Sequence, residues 1–211
     1  MNVQVQQLLK AAFPLARSYG FTRQALSQAA LLLPKPHSEP LPDTAVTALF
    51  GSGDDAPRTF FKAWLAEGRN NMEESEGKSI NGLLKHRLRW NEPVLQSLPE
   101  TFALMASPSL AIPPFDVRPA VEHVASIADQ ACYLSGDKST ENSWYAKRAV
   151  LAAAYGAAEL HQLSSPSTAA EFLDDLLKSS REAEFALQST AQFAQFVGRS
   201  WAGIYRSLRL R

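Results

Sequence analysis

Several features that identify common classes of protein are scarce or absent in this chain of 211 residues. The single cysteine, Cys132, excludes an intrachain disulfide framework and is compatible with a reducing compartment. Its apolar neighbours favour a small buried side chain over a reactive thiol. No uninterrupted apolar run approaches the ~18 residues of a membrane span. Because the formal net charge is zero, overall charge indicates neither a nucleic-acid partner nor an acidic substrate.

The chain also lacks the residue clusters that most enzymes need. Its histidines are scattered, and none lies three or four positions from another, so no helical pair of histidine ligands can form. The paired Glu-x-x-His motifs of a helical di-iron site are absent. Residues 51–53 (GSG) lack the flanking residues of a phosphate loop or a nucleophile elbow. The sequence therefore predicts a protein that is not an enzyme and has neither a metal nor a cofactor.

What the chain does contain is a succession of helical patterns. Apolar residues recur at helical spacing over residues 3–17, and Thr22 can cap a second helix that runs to Leu32. Ser79 can cap a later helix, and Pro119 fits the first turn of another. We find no convincing strand and no internal repeat. The sequence therefore predicts an all-α fold.

Residues 12–30 (AFPLARSYGFTRQALSQAA) resemble the opening of a TetR-type helix-turn-helix domain. A DNA-binding domain of this type should continue with a short turn and a basic recognition helix. Instead, residues 33–42 contain four prolines, and the next predicted helix, residues 43–50, has no Lys or Arg. Residues 1–56 balance four basic against four acidic residues, whereas DNA affinity needs clustered cations. We therefore predict a degenerate helix-turn-helix and keep a TetR-type transcription regulator as the alternative hypothesis.

The most informative stretch is residues 136–155 (GDKSTENSWYAKRAVLAAAY). A turn at Gly136 precedes Ser139, a good N-cap for a long helix. Trp144 and Arg148 lie one turn apart near the start of that helix. Because Trp, Tyr and Arg are enriched in protein interfaces, this end of the helix is a candidate contact surface. The alternative is that Trp144 fills the core of its own domain.

A second face of the same helix consists almost entirely of small residues. Its members are Ala149, Ala152, Ala153 and Gly156. Such a face permits a close crossing with another helix. It could equally leave an apolar slot, and the residues alone do not decide between these two interpretations.

The pattern GDxST, then NxWY, then xxRAxLAAxYxxxEL resembles the lipid-binding accessory protein family of ubiquinone (coenzyme Q) biosynthesis. It is carried by Gly136, Asp137, Ser139, Thr140, Asn142, Trp144, Tyr145, Arg148, Ala149, Leu151, Ala152, Ala153, Tyr155, Glu159 and Leu160. The resemblance is strongest over residues 116–177. It implies a TetR-like helical bundle, in agreement with the pattern at residues 12–30.

The resemblance also implies two binding sites. The first is an apolar pocket for an isoprenoid quinone or a phospholipid, with the candidate residues Leu134, Leu151, Ala152, Tyr155, Phe172 and Leu176. The second is a surface for the di-iron demethoxyubiquinone hydroxylase, with the candidate residues Asp137, Glu141, Trp144, Tyr145 and Arg148. The implied function is to draw polyprenylated quinone intermediates from a membrane and present them to that hydroxylase.

The C-terminal residues 189–211 predict an amphipathic helix that binds a membrane surface. Four arginines and no acidic residue accompany aromatic and aliphatic side chains at helical spacing, a composition suited to an anionic bilayer. The candidate membrane-binding residues are Phe193, Phe196, Trp201, Ile204, Tyr205, Leu208, Arg199, Arg206 and Arg209. Alternatively, this face packs on its own domain or on a second subunit.

These predictions divide the chain into three segments. Residues 1–56 form the helix-turn-helix-like segment, residues 57–188 the helical lipid-binding domain, and residues 189–211 the amphipathic helix. The resemblance implies a location on the matrix side of the mitochondrial inner membrane, or on a bacterial membrane surface. Because no transit peptide is visible at Met1, we expect either a trimmed leader or a bacterial-type chain. TetR-like folds pair about a two-fold axis, so a homodimer is possible.

Overall fold

The computed structural model describes residues 3–107, 116–138 and 141–183, without the side chains of residues 141–143 and 180–183. Over these ranges the protein is all-α and has no strand, which confirms the predicted fold class. The helices are α1 (Val3–Ala12), α2 (Ala16–Tyr19), α3 (Arg23–Gln28), α4 (Asp43–Phe50), α5 (Asp55–Asn70), α6 (Ile80–Trp90), α7 (Leu98–Ala106), α8 (Arg118–Leu134), α9 (Glu141–Ser164) and α10 (Ala169–Ala183). Within the described residues, no helix combines the length and the apolar character that a bilayer span requires.

Local sequence signals account for several helix boundaries. The Thr22 hydroxyl accepts a hydrogen bond from an amide of the first turn of α3 at 3.3 Å, and the Ser79 hydroxyl does the same for α6 at 3.1 Å. Both predicted N-caps are therefore confirmed. The single helix predicted over residues 3–17 is interrupted by a 3₁₀ turn at Phe13–Leu15. Pro14 lies in this turn and has no amide hydrogen to continue the α-helical pattern.

The N-terminal helices share one hydrophobic core with α5 and α7. Aromatic side chains dominate it, with the Phe21 ring 4.8 Å from that of Phe61 and 5.7 Å from that of Trp64 between centroids. Phe102 from α7 completes the group, 5.3 Å from Phe61. This core therefore joins side chains from both sides of the boundary predicted near residue 56.

A second core lies among α6, α8, α9 and α10. Its fully buried members include Leu84 on α6, Ile127 on α8, Tyr155 on α9 and Leu173 on α10. Gly156 brings α8 and α9 close together, because a Cβ atom there would lie 3.2 Å from a methyl group of Val124. At this position, the small-residue face serves the close crossing that was one of its two interpretations.

Helix α4 is held by Arg23 of α3. The Arg23 guanidinium donates to the Asp43 carboxylate at 2.6 and 2.8 Å and to the Thr47 hydroxyl at 2.6 Å. It also donates to the Gly51 carbonyl at 3.1 Å. This cation is therefore committed to contacts inside the protein.

Candidate binding sites

Three exposed aromatic side chains lie near the junction of α8 and α9. Tyr133 is 75% exposed, Trp144 36% and Tyr145 67%. A hydrogen bond of 2.8 Å joins Arg148 of α9 to Asp129 of α8. Tyr133 lies one turn beyond Asp129, and Trp144 one turn before Arg148, so both aromatic residues lie at the same end of the antiparallel helix pair. We refer to Tyr133, Trp144, Tyr145 and Arg148 as the aromatic corner.

Arg148 and Tyr145 hold the Trp144 ring of the aromatic corner in place. The guanidinium carbon of Arg148 lies 3.9 Å from the centroid of the Trp144 ring, and the Tyr145 ring packs against Trp144 edge-on at 4.7 Å. Arg148 is in turn fixed by Asp129 and by Asp137, whose carboxylate lies 3.6 Å away. A cation–π contact of this kind contributes about 0.5 to 2 kcal/mol, depending on its exposure. The ring is therefore pre-organised for contact.

The structure distinguishes the roles of the predicted partner-binding residues. Trp144 does not fill the core, and it reaches solvent together with Tyr145. The Asp137 side chain is only 7% exposed and forms a 2.6 Å ion pair with Lys147. It therefore supports Arg148 from the protein side and does not present itself to a partner. The side chain of Glu141 lies outside the described residues. Tyr133 was not predicted from the sequence, since its exposure depends on the packing of α8.

The six predicted lipid-binding residues all belong to the second core or pack against it. Leu151, Ala152 and Tyr155 are buried, while Leu134, Phe172 and Leu176 are half-buried against them. The hydroxyl of Tyr155 donates to the Glu159 carboxylate at 2.9 Å. Because these side chains fill the space between α8, α9 and α10, a lipid at this face would have to part the helices. Their role in lipid binding stays a prediction.

A buried polar network joins α6, α8 and α9. The Glu159 carboxylate receives hydrogen bonds from His123 at 3.0 and 3.2 Å and from Asn91 at 2.9 Å, in addition to the bond from Tyr155. Arg87 donates to Asn91 at 2.8 Å. The Nε and Nη2 donors of Arg87 have no partner among the described residues. A buried charged group requires compensation, so the opposite charges of Arg87 and Glu159 support one another.

Burial and charge act in opposite directions on the pKa of Glu159. Burial alone would raise the pKa, but electrostatic attraction and hydrogen bonding from His123, aided by Arg87 and Asn91, lower it from 4.5 to about 2. For Tyr155, burial dominates and raises the pKa well above its ordinary value. Glu159 is therefore an ionised carboxylate inside the protein, surrounded by donors.

The sequence pattern did not predict this network. Glu159 and His161 are two positions apart, a spacing that separates their side chains, and His161 instead bonds Thr168 at 2.8 Å and stacks on Phe172. The true partner of Glu159 is His123, which lies on another helix. The only signal available was the rarity of charged residues among the apolar positions of a core helix.

A narrow cleft opens between α5, α7 and α8. Its cavity volume is only about 10 Å³. Its walls are mostly apolar, and His123 lines it. Its lining residues are Phe61, Leu65, Phe102, Met105, Ala106, Asp116, Val117, Pro119, Ala120 and His123.

A wider groove of about 1100 Å³ runs between the turn joining α2 to α3 and the start of α7. Its lining includes Arg17 and Arg23 as well as Glu92 and Glu100. The groove therefore has no dominant charge. None of the predicted site residues lines the groove or the cleft.

The remaining predictions concern membrane binding, metal binding and Cys132. The predicted membrane-binding residues, all within 189–211, lie outside them. Among the residues that the structure describes, no group of His, Cys, Asp or Glu side chains could hold a metal ion. Burial raises the pKa of Cys132, in keeping with the predicted small apolar role of that residue.

Comparison with known proteins gives a consistent family. The profile of the COQ9 family matches residues 117–184. The ubiquinone biosynthesis protein coq9, mitochondrial, of Schizosaccharomyces pombe is 34% identical over 89 residues, which cover 42% of this chain and 33% of the relative. COQ9 of Bos taurus is 25% identical, covering 76% and 51%. The probable coq9 protein of Dictyostelium discoideum is 26% identical, covering 82% and 59%.

The matched region contains the aromatic corner and the buried carboxylate. The family profile extends from the first turn of α8 to the end of α10. The chain spans between 33% and 59% of the lengths of these three relatives. The family suggested by residues 136–160 is confirmed, while the TetR-like form of the bundle stays a prediction. Over residues 117–184, the chain is similar to the COQ9 family.

Proposed function

We propose that this chain acts in ubiquinone biosynthesis as a non-enzymatic lipid-binding protein. It binds a polyprenylated quinone intermediate or a phospholipid and presents the intermediate to a di-iron demethoxyubiquinone hydroxylase at a membrane surface. Its relatives are named mitochondrial ubiquinone biosynthesis proteins, which supports the pathway and a mitochondrial location. The proposed location is the matrix side of the inner membrane, or a bacterial membrane surface for a bacterial chain.

The aromatic corner is the observation that carries the proposal of a protein partner. Exposed aromatic residues occur singly on many surfaces, but here Trp144 and Tyr145 pack together over a buttressed Arg148. Ordering side chains on binding costs about 0.5–1.5 kcal/mol for each long side chain, and a ring that is already fixed avoids much of this cost. The corner therefore has the composition and the rigidity of a binding hot spot.

Replacement of Trp144 by Lys tests this partner surface. We expect Trp144→Lys to weaken binding to the hydroxylase by about 30-fold or more, as for a hot-spot residue worth at least about 2 kcal/mol. Binding would be measured by surface plasmon resonance and folding by circular dichroism. The matched control is Tyr19→Lys, because Tyr19 is 37% exposed and lies outside the corner.

Two outcomes would contradict the proposal. Unchanged affinity of Trp144→Lys would remove the corner as the docking surface, and equal loss in Tyr19→Lys would remove its specificity.

Native mass spectrometry after mild extraction tests lipid binding: a lipid carrier retains a bound lipid, whereas a structural dimerisation module does not. The same spectrum reports whether the chain forms a homodimer.

The alternative, a TetR-type regulator, is disfavoured by the contacts of α4. The Asp43 carboxylate lies in the first turn of α4, where a DNA phosphate would be repelled, and Arg23 is occupied by intramolecular hydrogen bonds. A gel shift at low salt distinguishes the two functions. Salt-dependent DNA binding would favour the regulator, and its absence is expected of the carrier.

A further inference from the structure

Four side chains of alternating charge are linked at the aromatic corner. Nζ of Lys147 lies 2.6 Å from one oxygen of the Asp137 carboxylate, and Nη1 of Arg148 lies 3.6 Å from the other. Through Nε, Arg148 also donates a hydrogen bond of 2.8 Å to Asp129. The series therefore runs from Lys147 to Asp129 with positive and negative charges in turn, and Arg148 is the member that contacts the Trp144 ring.

Asp137 is the least exposed member of this series. Its side chain is 7% exposed, whereas that of Asp129 is 60% exposed. A carboxylate in such a position needs a close cation, because little water remains to compensate its charge. Lys147 supplies this cation. The pair of Lys147 and Asp137 is therefore screened less than an ion pair on the open surface.

The two cations near Asp137 contact it differently. Lys147 forms a charge-assisted hydrogen bond with it, whereas the distance of 3.6 Å to Arg148 is too long for one. Instead, Arg148 donates to the backbone carbonyl of Trp144 at 3.4 Å, and its guanidinium carbon lies 3.9 Å from the ring centroid. If the charge of Lys147 were removed, Asp137 would attract Arg148 more strongly. The guanidinium would then move from its place over the ring.

We propose that Lys147 is a positioning residue for partner binding at the aromatic corner. By occupying Asp137, it leaves the guanidinium of Arg148 to the Trp144 ring. The inference deepens the proposed function and rests on it for the identity of the partner. The charge series itself belongs to the free chain, so its effect on the ring can be measured without a partner.

Lys147→Met tests the inference in the full chain without a partner. We expect the indole ¹⁵N–¹H resonance of Trp144 and the Nε–H resonance of Arg148 both to shift, because the cation no longer lies in the same place over the ring. Lys147→Arg keeps a cation for Asp137 and should restore both resonances. Lys178→Met is the matched control, since it removes a lysine from a surface ion pair on α10 and should leave both resonances unchanged. Unmoved resonances in Lys147→Met would overturn the proposal.

Surface plasmon resonance with the hydroxylase tests whether this position of the ring matters for binding. Lys147→Met should weaken binding about fivefold, as expected for the loss of one exposed cation–π contact, and Lys147→Arg should recover most of the affinity. A residue that acts through Arg148 adds little further loss in an Arg148→Met background. A direct contact between Lys147 and the partner would instead cost the same in both backgrounds, and this result would refute the positioning role.

Circular dichroism reports whether each variant folds. If Lys147→Met does not fold, Lys147→Gln takes its place in both experiments, because it removes the charge and keeps a hydrogen-bond donor for Asp137. The same resonance shifts and the same direction of affinity change are expected of it.

Failure of this inference is distinguishable from failure of the proposed function. If the resonances do not move while Trp144→Lys still weakens hydroxylase binding, the positioning role fails and the proposed function stands. If the resonances move as expected while the unmodified chain binds no hydroxylase, the proposed function fails and the effect of Lys147 on the Trp144 ring stands.

Discussion

At the scale of single residues, Glu159 ties three helices together. It accepts hydrogen bonds from Asn91 at the end of α6, from His123 on α8 and from Tyr155 on its own helix. Removing one member of such a network leaves the others buried without a partner, which costs more than the hydrogen bond itself contributes. The stability of this region therefore depends on the ionised state of one carboxylate.

The first residue-scale prediction concerns pH. The pKa of Glu159 is lowered from 4.5 to about 2 on folding, so the contribution is fully present above pH 4.5 and is lost as the pH falls from there toward 2. The lowering corresponds to about 3 kcal/mol. We expect Glu159→Gln to be less stable than the unmodified chain at pH 7, with the difference narrowing below pH 4.5.

Urea unfolding followed by circular dichroism at a series of pH values measures this difference. Asp174→Asn is a suitable control, because the hydrogen bond from Lys85 lowers the pKa of that carboxyl at a more exposed site. A constant difference between Glu159→Gln and the unmodified chain from pH 7 to pH 3 would contradict the prediction.

The second residue-scale prediction concerns the contact between α5 and α6. A Cβ atom at Gly68 would lie 2.5 Å from Cδ1 of Trp90, whose ring packs at a tilt against that of Trp64 with 4.9 Å between centroids. Gly68→Ala should therefore destabilise the protein by about 1–3 kcal/mol through overpacking. Thermal unfolding measures the change.

Gly77 provides the matched control for this substitution. A Cβ atom at Gly77 meets no atom within 4 Å, so Gly77→Ala should be neutral or slightly stabilising. Similar melting temperatures for the two variants would show that the Trp90 ring moves aside without cost.

At the scale of elements, α9 changes its surroundings along its length. It begins with exposed Trp144 and Tyr145 and continues into fully buried Tyr155 and nearly buried Glu159. Trp144, Leu151 and Tyr155 share one stripe of this helix. The stripe nevertheless runs from solvent into the core, because Leu151 and Tyr155 belong to the second core whereas Trp144 does not.

The element-scale prediction concerns α4, whose position depends on Arg23. Arg23→Ala removes the hydrogen bonds to Asp43, Thr47 and Gly51 and should increase amide hydrogen exchange in α4 by at least tenfold. Arg17→Ala is the control, since Arg17 is exposed on the neighbouring helix. Unchanged exchange in Arg23→Ala would show that Val46 and Phe50 hold α4 by packing alone.

Local signals predicted much of the element layout, and long-range pairing accounts for what was missed. Thr22 and Ser79 indicated the starts of their helices because an N-cap acts within three residues. The exposed Trp144 was predicted from composition typical of interfaces. The His123–Glu159 pair lies 36 positions apart in the sequence, and helical spacing carries no information about such a distance. The cleft likewise depends on how α5, α7 and α8 pack.

At the scale of the whole molecule, two cores divide the described residues. The aromatic core joins α1 to α5 and α7, and the second core joins α6 to α10 through α8 and α9. Phe60 and Phe61, which follow the predicted boundary near residue 56, belong to the aromatic core. The organisation into three segments stays a prediction.

The whole-molecule prediction concerns residues 189–211. Deleting them should abolish binding to anionic phospholipid vesicles and leave the melting temperature of the remaining chain nearly unchanged. Each arginine near an anionic surface contributes about 1 kcal/mol, so replacing Arg199, Arg206 and Arg209 by Ala should weaken binding strongly on anionic vesicles and little on zwitterionic ones. Vesicle co-sedimentation measures both effects. Undiminished binding after the deletion would remove the membrane anchor from the proposed function.

The continuity of α9 has a mechanical consequence. Its 24 residues form a rod of about 36 Å with no joint between the solvent-facing end and the inner end. A protein bound at the outer end of α9 therefore restrains the same rigid helix whose inner end packs against α6, α8 and α10. If that protein binds only the folded chain, its binding free energy adds to the free energy of unfolding of the interior.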